Sequence, residues 1–324
     1  VLVAPDSFGG TLTAVEAVAA IAAGWPGADE VDRAALSDGG PGFLDVLPGQ
    51  RRTWSVTGPL GEPVQAAWRL DGQTAYIESA QACGLHLVAA TGREPERATT
   101  RGVGELCAAA AEAGARRLVI GLGGSATTDG GRGFLSTYAR TDLDLIAATD
   151  VDSPLLGPDG AAAVFGPQKG ADASAIVRLE AALAAQAAGR PEASWPGAGA
   201  AGGLGFALLT LGATRVSGAA LVGERLGLPA RVAAADLVLT GEGAYDATSL
   251  RGKVTAYVAG LALEHAVPCV VLAGRVSVGR REAAAHGVSE MWDLTQHAGD
   301  RAHTDAAESL TALSRRVAGQ WSRG

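Results

Sequence analysis

The sequence predicts an α/β fold resting mainly on parallel strands. Three observations point there: short apolar runs that break off into glycine-rich polar loops, alanine-rich helical stretches after those loops, and a region near residues 53–79 where hairpin signals replace this alternation. The chain has 324 residues, 48% of them apolar, enough for two domains or one large one and for a core that offsets chain entropy. No apolar run reaches the ~18 uncharged residues of a membrane span. The apolar stretch around Ala14–Gly24 is interrupted by Glu16, follows a polar segment and lacks the basic start of a signal peptide. A soluble protein is expected.

Val1–Pro5 reads as a strand ending in Asp6-Ser7-Phe8-Gly9-Gly10, and Thr11 or Thr13 can cap a helix over Ala14–Gly24. Open α/β sheets place ligands at such carboxyl ends. The grammar recurs at Leu118–Ile120 before the Gly121–Gly131 loop, at Ala235–Thr240 before Gly241–Asp246 and a helix Val254–His265, and at Val267–Leu272. Between Thr53 and Ser79, turns at Pro59–Pro63 and Asp71-Gly72 separate alternating segments, so a second domain is expected to begin near residue 54. Gly197–Gly202 spells G-x-G-x-x-G but follows Ser-Trp-Pro rather than a strand. It is expected to open a helix Leu204–Leu211 and not to hold a nicotinamide cofactor. The tail after Asp305 reads as a surface helix.

Net charge is −8, from 34 acids against 26 bases, which argues against a general nucleic-acid binder. Only two of the bases are lysines, Lys169 and Lys253, and both lie in glycine-flanked loops from which an ammonium can reach a phosphate. Cys83, Cys107 and Cys269 sit in apolar surroundings and read as small core residues, in keeping with a reducing cytoplasm. The histidines show no metal-ligand spacing.

The glycines of Gly121–Gly131 permit close backbone approach, and their amides can form an anion nest, so a phosphate is the natural guest beside Gly123, Gly124, Ser125 and Thr127. The other reading is a tight turn that packs a strand on a helix. Asp129 within the loop would repel a bare phosphate but suits one that arrives with Mg2+. Asp6, Asp38, Asp150, Asp152, Glu242 and Asp246 stand at loop entrances. One such residue is often a helix cap; several at different strand ends suggest a site that binds a divalent cation or activates a hydroxyl. Glu78 and Ser79 follow a strand, where Glu78 could equally be a solvated rim residue.

Read as an ordered set, these loops resemble the glycerate kinase family of the bacterial sugar-acid and glyoxylate type, in its actinobacterial flavour. The resemblance rests on Ala4-Pro-Asp-Ser-Phe8, Leu36-Ser-Asp-Gly-Gly40, Val56–Gly61, Glu78-Ser-Ala80 with Cys83-Gly-Leu85, Gly121–Thr127, Asp129-Gly-Gly131, Ala148–Asp152, Gly166–Ala171, Pro196–Gly203 and Ala235–Gly243. It implies a Rossmann-like parallel-sheet domain (1–54 plus 226–324) with a second α/β domain (55–225) inserted and a cleft between them. It also implies phosphorylation of D-glycerate by ATP with Mg2+, to 2-phosphoglycerate rather than 3-phosphoglycerate, in a cytoplasmic enzyme that could be a homodimer. By resemblance and position, Asp6, Asp38, Lys169 and Asp246 are expected to be catalytic. Gly123, Gly124, Ser125, Thr127, Glu242 and Lys253 are expected on the nucleotide, Ser7, Glu78, Ser79 and Arg101 on the substrate, and Asp129 and Asp150 on the metal.

The sequence departs from that pattern in places. Gly9 stands where the family has lysine, Ala244 where it has arginine and Thr128 where it has asparagine. Two lost cations would weaken phosphate binding, so a non-catalytic nucleotide- or sugar-acid-binding relative is the alternative to an active enzyme. A kinase for another small hydroxy acid is the third reading. The chain starts at Val1, where the pattern has one or two more residues, and is shorter near Leu47-Pro48 and between Phe134 and Asp150. The abrupt passage from Gly133-Phe-Leu to Tyr138-Ala-Arg140 suggests that residues are omitted there.

Overall fold

The computed structural model describes residues 1–25, 30–138 and 140–321. The chain divides into two compact units, one formed by residues 1–38 with 218–324 and the other by residues 39–217. Its strands are β1 (Leu2–Val3), β2 (Asp32–Arg33), β3 (Gln50–Thr57), β4 (Pro63–Asp71), β5 (Thr74–Glu78), β6 (Arg117–Gly121), β7 (Asp144–Ala148), β8 (Thr214–Val216), β9 (Val238–Tyr245), β10 (Cys269–Val276) and β11 (Glu290–Asp293).

The discontinuous unit is built on a five-stranded sheet in the order β11-β10-β9-β1-β2, with every pair parallel. Renumbered within the unit, the order is 2-1-3-4-5, the flavodoxin-like variant of the doubly wound sheet rather than the Rossmann order itself. The helix Ala14–Gly24 forms where expected, capped by Thr13, whose hydroxyl accepts from Glu16 N while Glu16 returns a bond to Thr13 N at 2.8 Å. On one face, Val3, Leu239, Val270 and Leu272 pack under that helix and under Leu310, Leu313 and Val317 of the helix Ala306–Trp321. The helix Val254–Glu264 buries Val254, Val258 and Ala262 and packs on β9 and β10. The tail is therefore not a surface helix: one of its faces completes the core, and a side chain on Gly24 would collide with the Thr311 carbonyl.

The continuous unit has a six-stranded sheet, β3-β4-β5-β6-β7-β8, antiparallel from β3 to β5 and parallel from β5 to β8. The hairpin signals correspond to β3–β5. Its borders, at 38/39 and 217/218, differ from the expected 54/55 and 225/226. The physical reason lies in contacts that precede the hairpins. Glu78, at the end of β5, accepts from the amides of Gly42 and Leu44, and a Cβ on Gly39 would lie 2.7 Å from the Ala148 carbonyl. At the other border the helix Gly218–Arg225 packs on Val254–Glu264, where Gly223 leaves room for the Tyr257 ring. The short junction after Phe134 is closed by Phe134 and Tyr138, both buried with ring centroids 5.4 Å apart; Ala139 lies outside the described residues.

All three cysteines are free and buried. Among the described residues no helix is long and apolar enough to cross a membrane. Burial of the tail helix makes a test. Leu313→Ala is expected to lower the unfolding free energy by about 2–5 kcal/mol in urea denaturation, whereas a surface leucine would change it by about 0.5 kcal/mol or less.

Candidate active site

In the discontinuous unit the strand order reverses between β1 and β9, and the carboxyl ends of the strands beside that point are where a doubly wound sheet binds ligands. Asp6 follows β1 and its amide donates to the Gly241 carbonyl at 2.9 Å. Asp38 follows β2, and Glu242 lies in β9 two residues past Thr240, whose hydroxyl donates to the Ala4 carbonyl. Three carboxylates from three strands thus share one edge. Burial pushes the Asp6 carboxyl well above its usual range, and the charges of Asp38 and Glu242 push the same way. Ser7 N donates to Asp6 Oδ1 at 2.6 Å and opposes that rise.

Glu242 is buried, and burial raises its pKa. The Ser249 hydroxyl donates to its Oε2 at 2.9 Å. The Thr255 hydroxyl also favours the charged carboxylate, although neither Thr255 Oγ1 nor Glu242 Oε1 reaches good hydrogen-bond geometry. Lys253, the residue before the helix Val254–Glu264, adds a favourable positive charge. Asp246 is placed differently: its carboxylate closes a turn by accepting from Thr248 N and Oγ1 at 2.8 and 2.6 Å, which lowers its pKa. A cavity of about 760 Å³ opens at the opposite edge, by Leu2, Trp25, Leu237, Pro268 and Trp321; its carboxylates are Glu30, Asp32 and Asp236, none of those above.

In the continuous unit the Gly121–Gly131 loop leaves the carboxyl end of β6. Gly123 and Gly124 are its solvent-accessible part, while Ser125 and Thr127 are buried. Two charged side chains hold it. Lys169, a residue only 3% exposed, donates from Nζ to Ser125 Oγ at 3.0 Å and to the Thr127 carbonyl at 2.6 Å. Asp129 accepts from Thr100 N and Oγ1, Gly131 N and Gly133 N, all at 2.9–3.1 Å. Burial lowers the Lys169 ammonium to about 8, partly offset by Cys83 and Asp129. The G-x-G-x-x-G segment packs directly on this loop: a side chain on Gly202 would collide with the Thr127 carbonyl, and Gly130 N donates to the Gly202 carbonyl at 3.0 Å.

The remaining candidates disperse. Glu78 is buried on loop amides and on Gln81, and its carboxyl is pushed up by burial. Ser79 is fully buried and its Oγ has no partner. Arg101 pairs with Glu105 on the surface at 3.0 Å. Asp150 lies just beyond β7, whereas nearby Asp152 pairs with Arg215. Sequence reading missed Thr100, Ser249 and Thr255, because hydroxyls 29, 7 and 13 residues from their carboxylates carry no local signal.

A family model described as the glycerate kinase family matches residues 1–144 and 136–322. The chain belongs to the glycerate kinase family. It is similar to the glycerate kinase of Bacillus subtilis, 40% identical over 98% of this chain and 96% of that protein. It is 36% identical to the glycerate 2-kinase of Escherichia coli over 98% and 97%, and 47% identical to an uncharacterised protein of Mycobacterium tuberculosis over 98% and 90%. A crystal structure of a protein assigned as glycerate kinase 2 from Salmonella typhimurium LT2 superposes with a TM-score of 0.78 at 34% identity, covering 98% of this chain and 97% of that one. Membership makes the chain a kinase, and a kinase takes a nucleotide as phosphoryl donor.

The buried ammonium supplies a pH test. Lys169 titrates near 8 in the folded protein and near 10.5 as a free side chain, so between those values the unfolded chain binds more protons. Its contribution to stability therefore improves as pH rises from about 8 to about 10.5. The unfolding free energy of the wild type relative to Lys169→Met is expected to increase across that window. A difference that stays flat in pH would remove the buried ammonium from the loop.

Proposed function

We propose that the chain phosphorylates D-glycerate at its 2-hydroxyl, with ATP as donor and Mg2+ as the accompanying ion. The observation that carries the reading is the carboxylate group of Asp6, Asp38 and Glu242 at the reversal point of the parallel sheet, in a chain whose named relatives are glycerate kinases. The preference for the 2-hydroxyl draws on the relative named glycerate 2-kinase.

Phosphoryl transfer asks a protein mainly to position the reactants and to balance charge. A carboxyl whose pKa is raised by burial and like charges can take the proton of an attacking hydroxyl, which makes Asp6 the candidate base. Within its own unit the glycine loop leaves the backbone of Gly123 and Gly124 accessible, as an anion nest requires, and Lys169 stands behind it by fixing Ser125 and Thr127.

Among the described residues no three His, Cys, Asp or Glu side chains form a metal cage of their own. That suits Mg2+, which binds through one or two carboxylates together with substrate phosphates. Asp38 fits, because a cation there would offset the repulsion between its charge and Asp6 and leave Asp6 to take the proton. Asp129 does not, since both its oxygens are engaged by loop donors. Bound at Asp38, the ion would neutralise charge on phosphate oxygens.

A coupled ADP-release assay with D-glycerate, ATP and Mg2+ tests the activity, and NMR of the product tells 2- from 3-phosphoglycerate. Asp6→Asn is expected to keep the fold and lower kcat by at least about a hundredfold, roughly 2.7 kcal/mol, with little change in KM for glycerate. Normal turnover in a folded Asp6→Asn protein would exclude the assigned base. A wild type that turns over glyceraldehyde or another hydroxy acid but not glycerate would exclude the substrate.

A further inference from the structure

The carboxylate edge of the discontinuous unit needs a positive partner if an anion is to dwell there. Lys253 is one cation close to Glu242. The register of β9 and β10 supplies a second that sequence reading passed over. Ala273 pairs with Glu242 and Arg275 with Ala244 across the parallel ladder, and residues in register on neighbouring strands present their side chains to the same face. Val270 and Leu272 point into the core under Ala14–Gly24 and Ala306–Trp321. Ala273 and Arg275 alternate to the other face, shared with Glu242 and with the helix Val254–Glu264 that carries Thr255.

Arg275 stands one residue before the end of β10, on the carboxyl side where this sheet reverses its strand order. It is solvent-exposed, its neighbour Ala244 is exposed and small, and among the described residues no hydrogen bond or ion pair engages its guanidinium. Other exposed arginines among the described residues, such as Arg190, Arg280 and Arg281, are equally without a bonded partner, so it is the position of Arg275 on this sheet edge that sets it apart. Gly274 lets the backbone beside Arg275 approach β9 closely, since a side chain there would collide with the Gly243 carbonyl. The base of the arginine is thus fixed while its head is left available.

We propose that Arg275 is an oxyanion-binding residue of this site, meeting two oxygens of a substrate phosphate or carboxylate with its planar fork. The inference rests on the kinase reading above. A guanidinium matches both groups bidentately, whereas the compact ammonium of Lys253 acts as a point charge. With Asp6, Asp38 and Glu242 on the same edge, an incoming anion without such a partner would meet net repulsion.

The test compares wild type, Arg275→Ala, Arg275→Gln and the double variant Arg275→Ala/Ala244→Arg, with Arg97→Ala as a surface control. Steady-state kinetics and calorimetric titration with ATP and Mg2+ are the readouts. Arg275→Ala and Arg275→Gln are expected to raise one KM at least tenfold, which is about 1.4 kcal/mol. A rise for ATP, matched by weaker calorimetric binding, assigns the phosphate; a rise for glycerate with unchanged nucleotide binding assigns the carboxylate. The double variant is expected to recover most of the loss, because position 244 lies beside 275 in register. Both KM values unchanged in folded Arg275→Gln, with an active wild type, would overturn the proposal. An inactive wild type would instead overturn the kinase reading, and calorimetry would still judge Arg275: unchanged nucleotide affinity in both single variants then overturns it as well.

Discussion

Burying a glycine-rich loop without leaving its polar atoms unpaired is the constraint around which the continuous unit is arranged. Such a loop has no side chains to fill space, so a neighbouring backbone must come close, and every buried N–H and C=O then needs a partner. Gly202 and Gly203 bring their segment onto Thr127–Gly130, Lys169 supplies donors from one side and Asp129 acceptors from the other. Neither ion is in contact with the other in a simple salt bridge. Each is satisfied by loop atoms, which rigidifies the loop and leaves Gly123 and Gly124 as its accessible edge.

The discontinuous unit follows a different logic. Parallel strands put their carboxyl ends on one side, and a reversal of strand order opens that side between β1 and β9. Asp6, Asp38 and Glu242 collect there because Asp6 and Asp38 follow strands and Glu242 lies within one, not because they are near in sequence. Burial, reinforced by the neighbouring charges, raises the Asp6 pKa, which is costly for folding and useful for chemistry.

The sequence differences from the family pattern at positions 9 and 244 meet at this edge. Gly9 takes a positive φ of 36° and lies against Gly243, where an added Cβ on Gly243 would sit 2.8 Å from Gly9 N. Two loops are thus joined by close backbone contact at the place where two cations were expected. Arg275, in register with Ala244, offers a guanidinium at the same level of the sheet.

The alternation of strands and helices, the capped helix Ala14–Gly24, the hairpins and the buried cysteines were all legible in the sequence, because each is set by local periodicity, capping chemistry or turn residues. So were the glycine-rich and carboxylate-bearing loops at the strand ends, since those residues cluster there in the sequence. What each loop residue does was decided only by tertiary structure. Asp129 and Lys169 read alike as residues of a phosphate site, yet both are turned into the loop and bonded to its own atoms. The Ala306–Trp321 helix read as surface, yet Leu310, Leu313 and Val317 close the core against Ala14–Gly24, nearly three hundred residues earlier. Periodicity along a chain records which face of an element is apolar. Which partner covers that face, and which donor satisfies a given carboxylate, depends on contacts between distant segments that local sequence does not encode.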